Sequence, residues 1–237
     1  MSFRDQLTSR LVALLGLDFD FAVDLRRKRF SEINDTLFVG RRPLVDDLVE
    51  LRELGITHVI SCLPERERFT VDFLAADFRC LFVPVHDGIR EDISTAFPKV
   101  FDFARALNEH PAQTERAKLL IHCEVGVSRS ATLAIALLMN SEKGTFFDTF
   151  TQVHARRPEI LPNIGFASQL QHLEHTMHPR AKGKPSSLTQ YLRDVCNVPV
   201  GMELLQESLE QHDFDAPRAI RAIFGDEIPR VVQGVRL

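Results

Sequence analysis

The chain has 237 residues, 44% hydrophobic and 26% charged, with 11 Gly and 12 Pro thinly spread, which excludes the disordered and fibrous classes. A net charge of −4 disfavours nucleic acid or an anionic membrane as partner, so any anionic substrate must be captured by local structure. No apolar run approaches the roughly 20 residues of a membrane span, and the opening Met1-Ser2-Phe3-Arg4-Asp5 lacks the order of a signal peptide, so a soluble, cytoplasmic protein is expected.

Leu7, Leu11, Leu14 and Leu15 fall at helical spacing, so residues 1–30 read as an N-terminal helical extension. Thr36-Leu37-Phe38-Val39 reads as a strand. Val45 to Leu54 has helical periodicity, with Gly55 as its stop, and Thr57 to Cys62 reads as the next strand. A helical patch near 70–76, a strand Leu81-Phe82-Val83-Pro84-Val85 and a helix from Ser94 to Leu107 follow.

Lys118-Leu119-Leu120-Ile121-His122 is a short apolar strand, and the segment after Arg129 is apolar all round, as a buried helix would be. Thr145 to Arg156 and Gly165 to Met177 read as helices separated by Pro158 and Pro162. Apolar strands alternating with helices predict an α/β fold with a mostly parallel central sheet.

Residues 179–187 are polar and breaker-rich, a linker by composition. It divides a catalytic-domain candidate, residues 31–178, from a small helical unit at 188–237. In that unit three short helices are expected, over 187–195, 202–211 and 216–224, the last with Asp215 as N-cap.

Cys62, Cys80, Cys123 and Cys196 are widely separated and form no C-x-x-C pair, which disfavours a zinc site or a disulfide framework and leaves thiols for chemistry. The informative one stands in His122-Cys123-Glu124-Val125-Gly126-Val127-Ser128-Arg129-Ser130, between a buried strand and a buried helix. Backbone N–H groups and the helix dipole make such a position an anion site, and Gly126 lets the loop curl around a ligand.

The same surroundings stabilise a thiolate at Cys123, the nucleophile candidate. Arg129 can fold back over the loop and hold two phosphate oxygens with its planar fork. Ser130 can donate to the sulfur and help it leave. The loop residues Glu124, Val125, Gly126, Val127 and Ser128 are the candidate substrate cradle.

His-Cys-x5-Arg in this context resembles the signature of the cysteine-dependent protein tyrosine phosphatases, and the Ser-Arg-Ser ending resembles their dual-specificity branch. Two further stretches share the likeness. Asp35 to Cys62 resembles that branch's opening strands, and Arg157-Pro158-Glu159-Ile160-Leu161-Pro162-Asn163-Ile164-Gly165-Phe166 with Gln169-Leu170 resembles its closing helices, so the likeness runs from about residue 32 to 175.

The resemblance implies a general acid on a loop after an earlier strand. Asp87 in Val83-Pro84-Val85-His86-Asp87 is the choice, with Asp92 the weaker candidate and an ordinary Asp87-Gly88 turn the alternative. It also implies that His122 hydrogen-bonds beside the nucleophile without acting as a base. Asn163 would brace the phosphate loop, its bland alternative being a turn residue between prolines.

The activity implied is hydrolysis of phosphotyrosine and phosphoserine or phosphothreonine through a phosphocysteine intermediate, with no metal or organic cofactor. Glu124 argues against a multiply phosphorylated ligand, so phosphoprotein leads over phosphoinositide, and the Ser128-Arg129 ending argues against phosphoglucan. A non-catalytic phosphate-binding module is the other alternative. Arg41 and Arg42 read as a surface pair or a substrate-facing patch. Leu204, Leu205, Leu209, Ala219, Ile220 and Ile223 could form a bundle similar to a ubiquitin-associated domain that binds a protein partner, or a packing element on the catalytic domain.

Overall fold

The computed structural model describes residues 29–108, 117–178 and 185–225; the expected N-terminal helix and most of the 179–187 stretch lie outside them. Five strands form one sheet: β1 (Phe30–Asn34), β2 (Leu37–Arg41), β3 (Ile56–Leu63), β4 (Arg79–Pro84) and β5 (Lys118–Cys123). Their order is β1-β2-β5-β3-β4, with β1 and β2 antiparallel and the other pairings parallel. The expected strands are all present; β1, with its short run FSEIN, is an additional one.

Strand periodicity divides the core. In β5, Leu119, Ile121 and Cys123 join a cluster with Val39 and Ile60, while Leu120 joins Phe38, Val59 and Leu63 in a second cluster, as expected when successive side chains alternate between faces. The smaller cluster is covered by α1 (Leu48–Glu53) and a 3₁₀ segment over Glu65–Ala76, and includes Leu51, Val71 and Leu74. The expected helical patch at 70–76 is thus part of a longer and tighter coil.

On the other face lie α2 (Phe97–Arg105), α3 (Arg129–Glu142), α4 (Phe146–Arg156) and α5 (Ile164–Met177). Every residue of α3 from Arg129 to Ala136 is buried, which accounts for its lack of a polar face. Thr145 caps α4 by accepting from Asp148 N–H, and Asn163 caps α5 by accepting from Phe166 N–H.

The C-terminal helices are α6 (Ser187–Gln190), which runs on into a π turn over Tyr191–Val195, α7 (Met202–Gln211) and α8 (Ala216–Phe224). Asp215 caps α8 by accepting from Arg218 N–H. These helices share one core with the catalytic domain. Leu188, Tyr191, Leu205, Leu209 and Ile220 belong to the same buried cluster as Ile121 and Phe166. Polar contacts reinforce the packing: Leu188 N–H donates to Gln171 Oε1 at 2.7 Å, and Ala216 N–H to Ser168 Oγ at 2.9 Å.

Candidate active site

Because β3, β4 and β5 are parallel, the loops leaving β4 and β5 emerge at the same edge of the sheet, where open α/β sheets carry their ligand sites. The first carries Asp87, the second runs from Cys123 into α3, and a third loop between α4 and α5 carries Arg157 to Asn163. These three segments form the site.

Cys123 is buried at the end of the central strand. Its Sγ accepts from Gly126 N–H and from Ser130 Oγ, each at 3.2 Å. The two donors fix the position of the sulfur at the mouth of the loop. Gly126 has φ +81°, and a Cβ there would lie 2.6 Å from the Gly40 carbonyl and 2.7 Å from Arg157 Nη2. Backbone conformation and lack of space both require glycine.

His122 Nε2 lies 2.7 Å from Ser61 Oγ on β3. Burial is the main cause that lowers its pKa from 6.5 to about 3. It is therefore neutral at physiological pH, in keeping with a positioning role. Cys62 follows Ser61 on β3, and burial followed by the proximity of Cys123 holds its thiol well above the ordinary value.

Arg129 is buried in the first turn of α3; its Nη1 donates to Val85 O at 3.3 Å and its Nε lies 3.8 Å from Asp87 Oδ2. Asp87 Oδ1 accepts from Ser128 Oγ at 2.7 Å and from Asn163 Nδ2 at 3.0 Å. The structure thus brings Asp87, Ser128, Arg129 and Asn163 into one cluster. Asp92 is engaged elsewhere, accepting from Ser94 N–H and Ser94 Oγ at the head of α2, and His86 is exposed.

The rest of the cradle is held by backbone contacts. Val127 O accepts from Leu161 N–H at 2.9 Å, and Ser128 O accepts from Thr132 N–H at 2.8 Å. Glu124 pairs with Arg42 Nη2 at 3.1 Å, while Arg42 Nη1 donates to Glu67 at 2.8 Å. Arg41 Nη2 lies 3.6 Å from Asp47. Arg42 is thus paired with two acids of the chain, while Arg41 shares Asp47 with Arg29.

Three contributors figured in the sequence reading only as part of the family likeness, with no role of their own. Arg157 is fully buried, donates from Nε to Gly126 O at 2.9 Å and from Nη1 to Ser31 Oγ at 3.0 Å, and pairs with Glu159 at 3.0 Å. Nothing local distinguishes it from exposed Arg156 beside it. Gln169 bridges to the loop after Asp87, donating to Glu91 O and accepting from Ser94 N–H, each at 2.8 Å. Gly165 packs so closely on that loop that a Cβ would lie 2.0 Å from Ile89 O.

Among the described residues, no group of three or more His, Cys, Asp or Glu side chains could hold a metal ion, and no helix is long and apolar enough to cross a membrane.

Comparison with known proteins matches this arrangement. Residues 37–176 match the family described as dual specificity phosphatase, catalytic domain. Rat dual specificity protein phosphatase 26 is 36% identical over 148 residues, covering 62% of this chain and 68% of that protein. The Arabidopsis thaliana protein-tyrosine-phosphatase MKP1 is 31% identical over 164 residues, 69% of this chain and 20% of that protein.

Among solved structures, the human tyrosine phosphatase-like serine/threonine/tyrosine-interacting protein superposes with a TM-score of 0.58 at 31% identity, covering 63% of this chain and 98% of that one. Human DUSP28 superposes with a TM-score of 0.55 at 25% identity, covering 63% and 95%. The family match ends before α6. Loop, sheet and relatives agree: the chain belongs to the dual-specificity branch of the cysteine-dependent protein tyrosine phosphatases and is a cysteine-dependent protein phosphatase.

Proposed function

We propose that Cys123 is the nucleophile, Arg129 the transition-state clamp and Asp87 the general acid of phosphomonoester hydrolysis. The observation that carries this is the pair of donors on Cys123 Sγ, Gly126 N–H and Ser130 Oγ. They hold the sulfur ready at the head of a buried 14-residue helix whose dipole favours negative charge.

The thiolate attacks phosphorus, the phosphate oxygens lie in the cradle from Glu124 to Ser128, and Arg129 meets two of them. The ester oxygen leaves with a proton from Asp87. Oδ1 already accepts two hydrogen bonds, so Oδ2 is the proton carrier. Water then attacks the phosphocysteine, Asp87 takes its proton, and Ser130 stabilises the departing thiolate. His122, bonded to Ser61, orients the strand end, and Asn163 holds Asp87 to the loop.

Pairing of Arg42 with both Glu67 and Glu124 beside the loop supports phosphoprotein over phosphoinositide, since a polyanion gains most from unpaired cations. The reaction is placed in the reducing cytoplasm, where an unmodified Cys123 thiol persists. The C-terminal helices are the surface proposed for a protein partner, with Leu204, 51% exposed, as its apolar anchor.

The test is phosphate release from phosphotyrosine, phosphothreonine, phosphoinositide and phosphoglucan substrates in chelator, beside a Cys123→Ser control. Turnover of phosphopeptides that disappears in the control supports the reading. Turnover confined to lipid or glucan overturns the substrate class, loss on chelation overturns the metal-free mechanism, and no turnover leaves a phosphate-binding module.

A further inference from the structure

The C-terminal helices lie beyond the family match, which ends at residue 176, yet one of their side chains is bonded to the loop that braces the cradle. Tyr191 is fully buried in the π turn that follows α6, its ring 5.3 Å from Phe146 and 5.0 Å from Phe150. Its hydroxyl donates to Pro162 O at 2.6 Å. That carbonyl belongs to the same peptide unit as Asn163 N–H, which donates to Ser128 Oγ at 3.2 Å. Ser128 Oγ in turn donates to Asp87 Oδ1.

A peptide unit is planar, so fixing its oxygen fixes the direction of its N–H. The unit between Pro162 and Asn163 is held at both ends, by Tyr191 and by Ser128. The result is a relay of hydrogen bonds from the C-terminal helices to the acid, in which each bond polarises the next.

We infer that Tyr191 is a positioning residue for Asp87, and that α6 to α8 are a built-in brace of the catalytic machinery. This rests on Asp87 being the general acid, as argued above. The ring could be anchored in the core by Phe146 and Phe150 alone; the phenol adds a hydroxyl that meets the Pro162 carbonyl at 2.6 Å and also the Cys196 thiol. Burial holds the Tyr191 hydroxyl well above its ordinary pKa, so the donor stays protonated across the working pH range. Burial likewise pushes the neighbouring Cys196 thiol up to about 12, so no charge arises beside the relay.

The experiment compares the full chain with Tyr191→Phe and Ser208→Ala. Tyr191→Phe removes one oxygen and keeps the ring. Ser208→Ala removes the buried bond from Ser208 Oγ to Ala219 O inside the C-terminal helices and controls for lost stability. Assayed well below both melting temperatures, Tyr191→Phe is expected to lower kcat on a phosphotyrosine peptide about three- to tenfold at unchanged KM. Its pH–rate limb for the acid should shift, and Ser208→Ala should match the wild type.

Amide hydrogen exchange supplies a readout independent of turnover. The Asn163 amide should exchange about tenfold faster in Tyr191→Phe and not in Ser208→Ala. Equal kcat and equal Asn163 protection in all three proteins would overturn the brace. A wild type silent on every substrate would instead sink the phosphatase reading, and the exchange of Asn163 would then decide the brace alone.

Discussion

Asn163 and Asp87, 76 residues apart in the chain, are joined side chain to side chain, Nδ2 donating to Oδ1 at 3.0 Å. The same asparagine caps α5 through its Oδ1, so one amide serves both a helix and an acid. Asn163→Ala should cost about 1 kcal/mol of stability for the lost cap. It should lower kcat about tenfold by releasing Asp87. Asn163→Ser, which can still cap, should recover melting temperature but not kcat, and steady-state kinetics beside calorimetry separates the two effects.

Arg157 is the second expectation. Its guanidinium is buried, with Glu159 as ion partner and Gly126 O and Ser31 Oγ as acceptors, and removing one member of a buried pair typically costs roughly 3–5 kcal/mol. Arg157→Ala should therefore fold poorly. Arg157→Lys keeps the charge but loses the fork that meets the loop and β1 together. It should fold with a lowered melting temperature and a kcat reduced by at least about tenfold. A Lys variant with full activity would mean that the loop holds its shape without this contact.

Gly165→Ala tests the packing of α5 on the loop after Asp87. Its Cβ would sit 2.0 Å from Ile89 O, so backbone must move, at a cost of about 1–3 kcal/mol. Since Ile89 is two residues from Asp87, the loss of kcat should exceed that of Gly144→Ala, whose Cβ would meet only the end of the Thr149 side chain at 2.9 Å. Kinetics on the two variants at matched fractions folded makes the comparison.

His122 sets a pH dependence of stability. Its pKa falls from 6.5 to about 3 on folding, so between those values the unfolded chain binds the extra proton and stability rises with pH. The contribution is fully present above pH 6.5 and is lost as pH falls toward 3. His122→Gln should flatten the slope of melting temperature between pH 4.5 and 7 relative to the wild type, measured by thermal denaturation. Equal slopes would show that folding does not lower the His122 pKa.

Much of this was legible in the sequence because it lies in local pattern. The switch from an apolar strand at Lys118 to a non-amphipathic helix after Arg129 marks the loop, and Asp215 opens α8 as the capping rule requires. Strand β1 escaped notice because its pairing with β2 is set by tertiary contact and its five residues include Ser31, Glu32 and Asn34. Arg157 escaped because burial of a charge depends on partners far away, Ser31 at 126 positions' remove. The helices at 187–195, 202–211 and 216–224 were readable as helices; packing on the catalytic core was one of two readings of their apolar faces, and the shared core favours it, since periodicity says that a face is buried and not against what.

The hydrogen bonds of the site span 41, 76 and 126 positions of chain, and long-range contacts of this kind form late in folding. During synthesis the nucleophile loop leaves the ribosome well before Asn163, and Asn163 before Tyr191. A nascent chain therefore carries its reactive cysteine without the acid-holding amide or the phenol behind it. On the proposed roles, the full set of contacts around Cys123 can close only once the chain has been made through Tyr191, so the order of synthesis runs from nucleophile to brace.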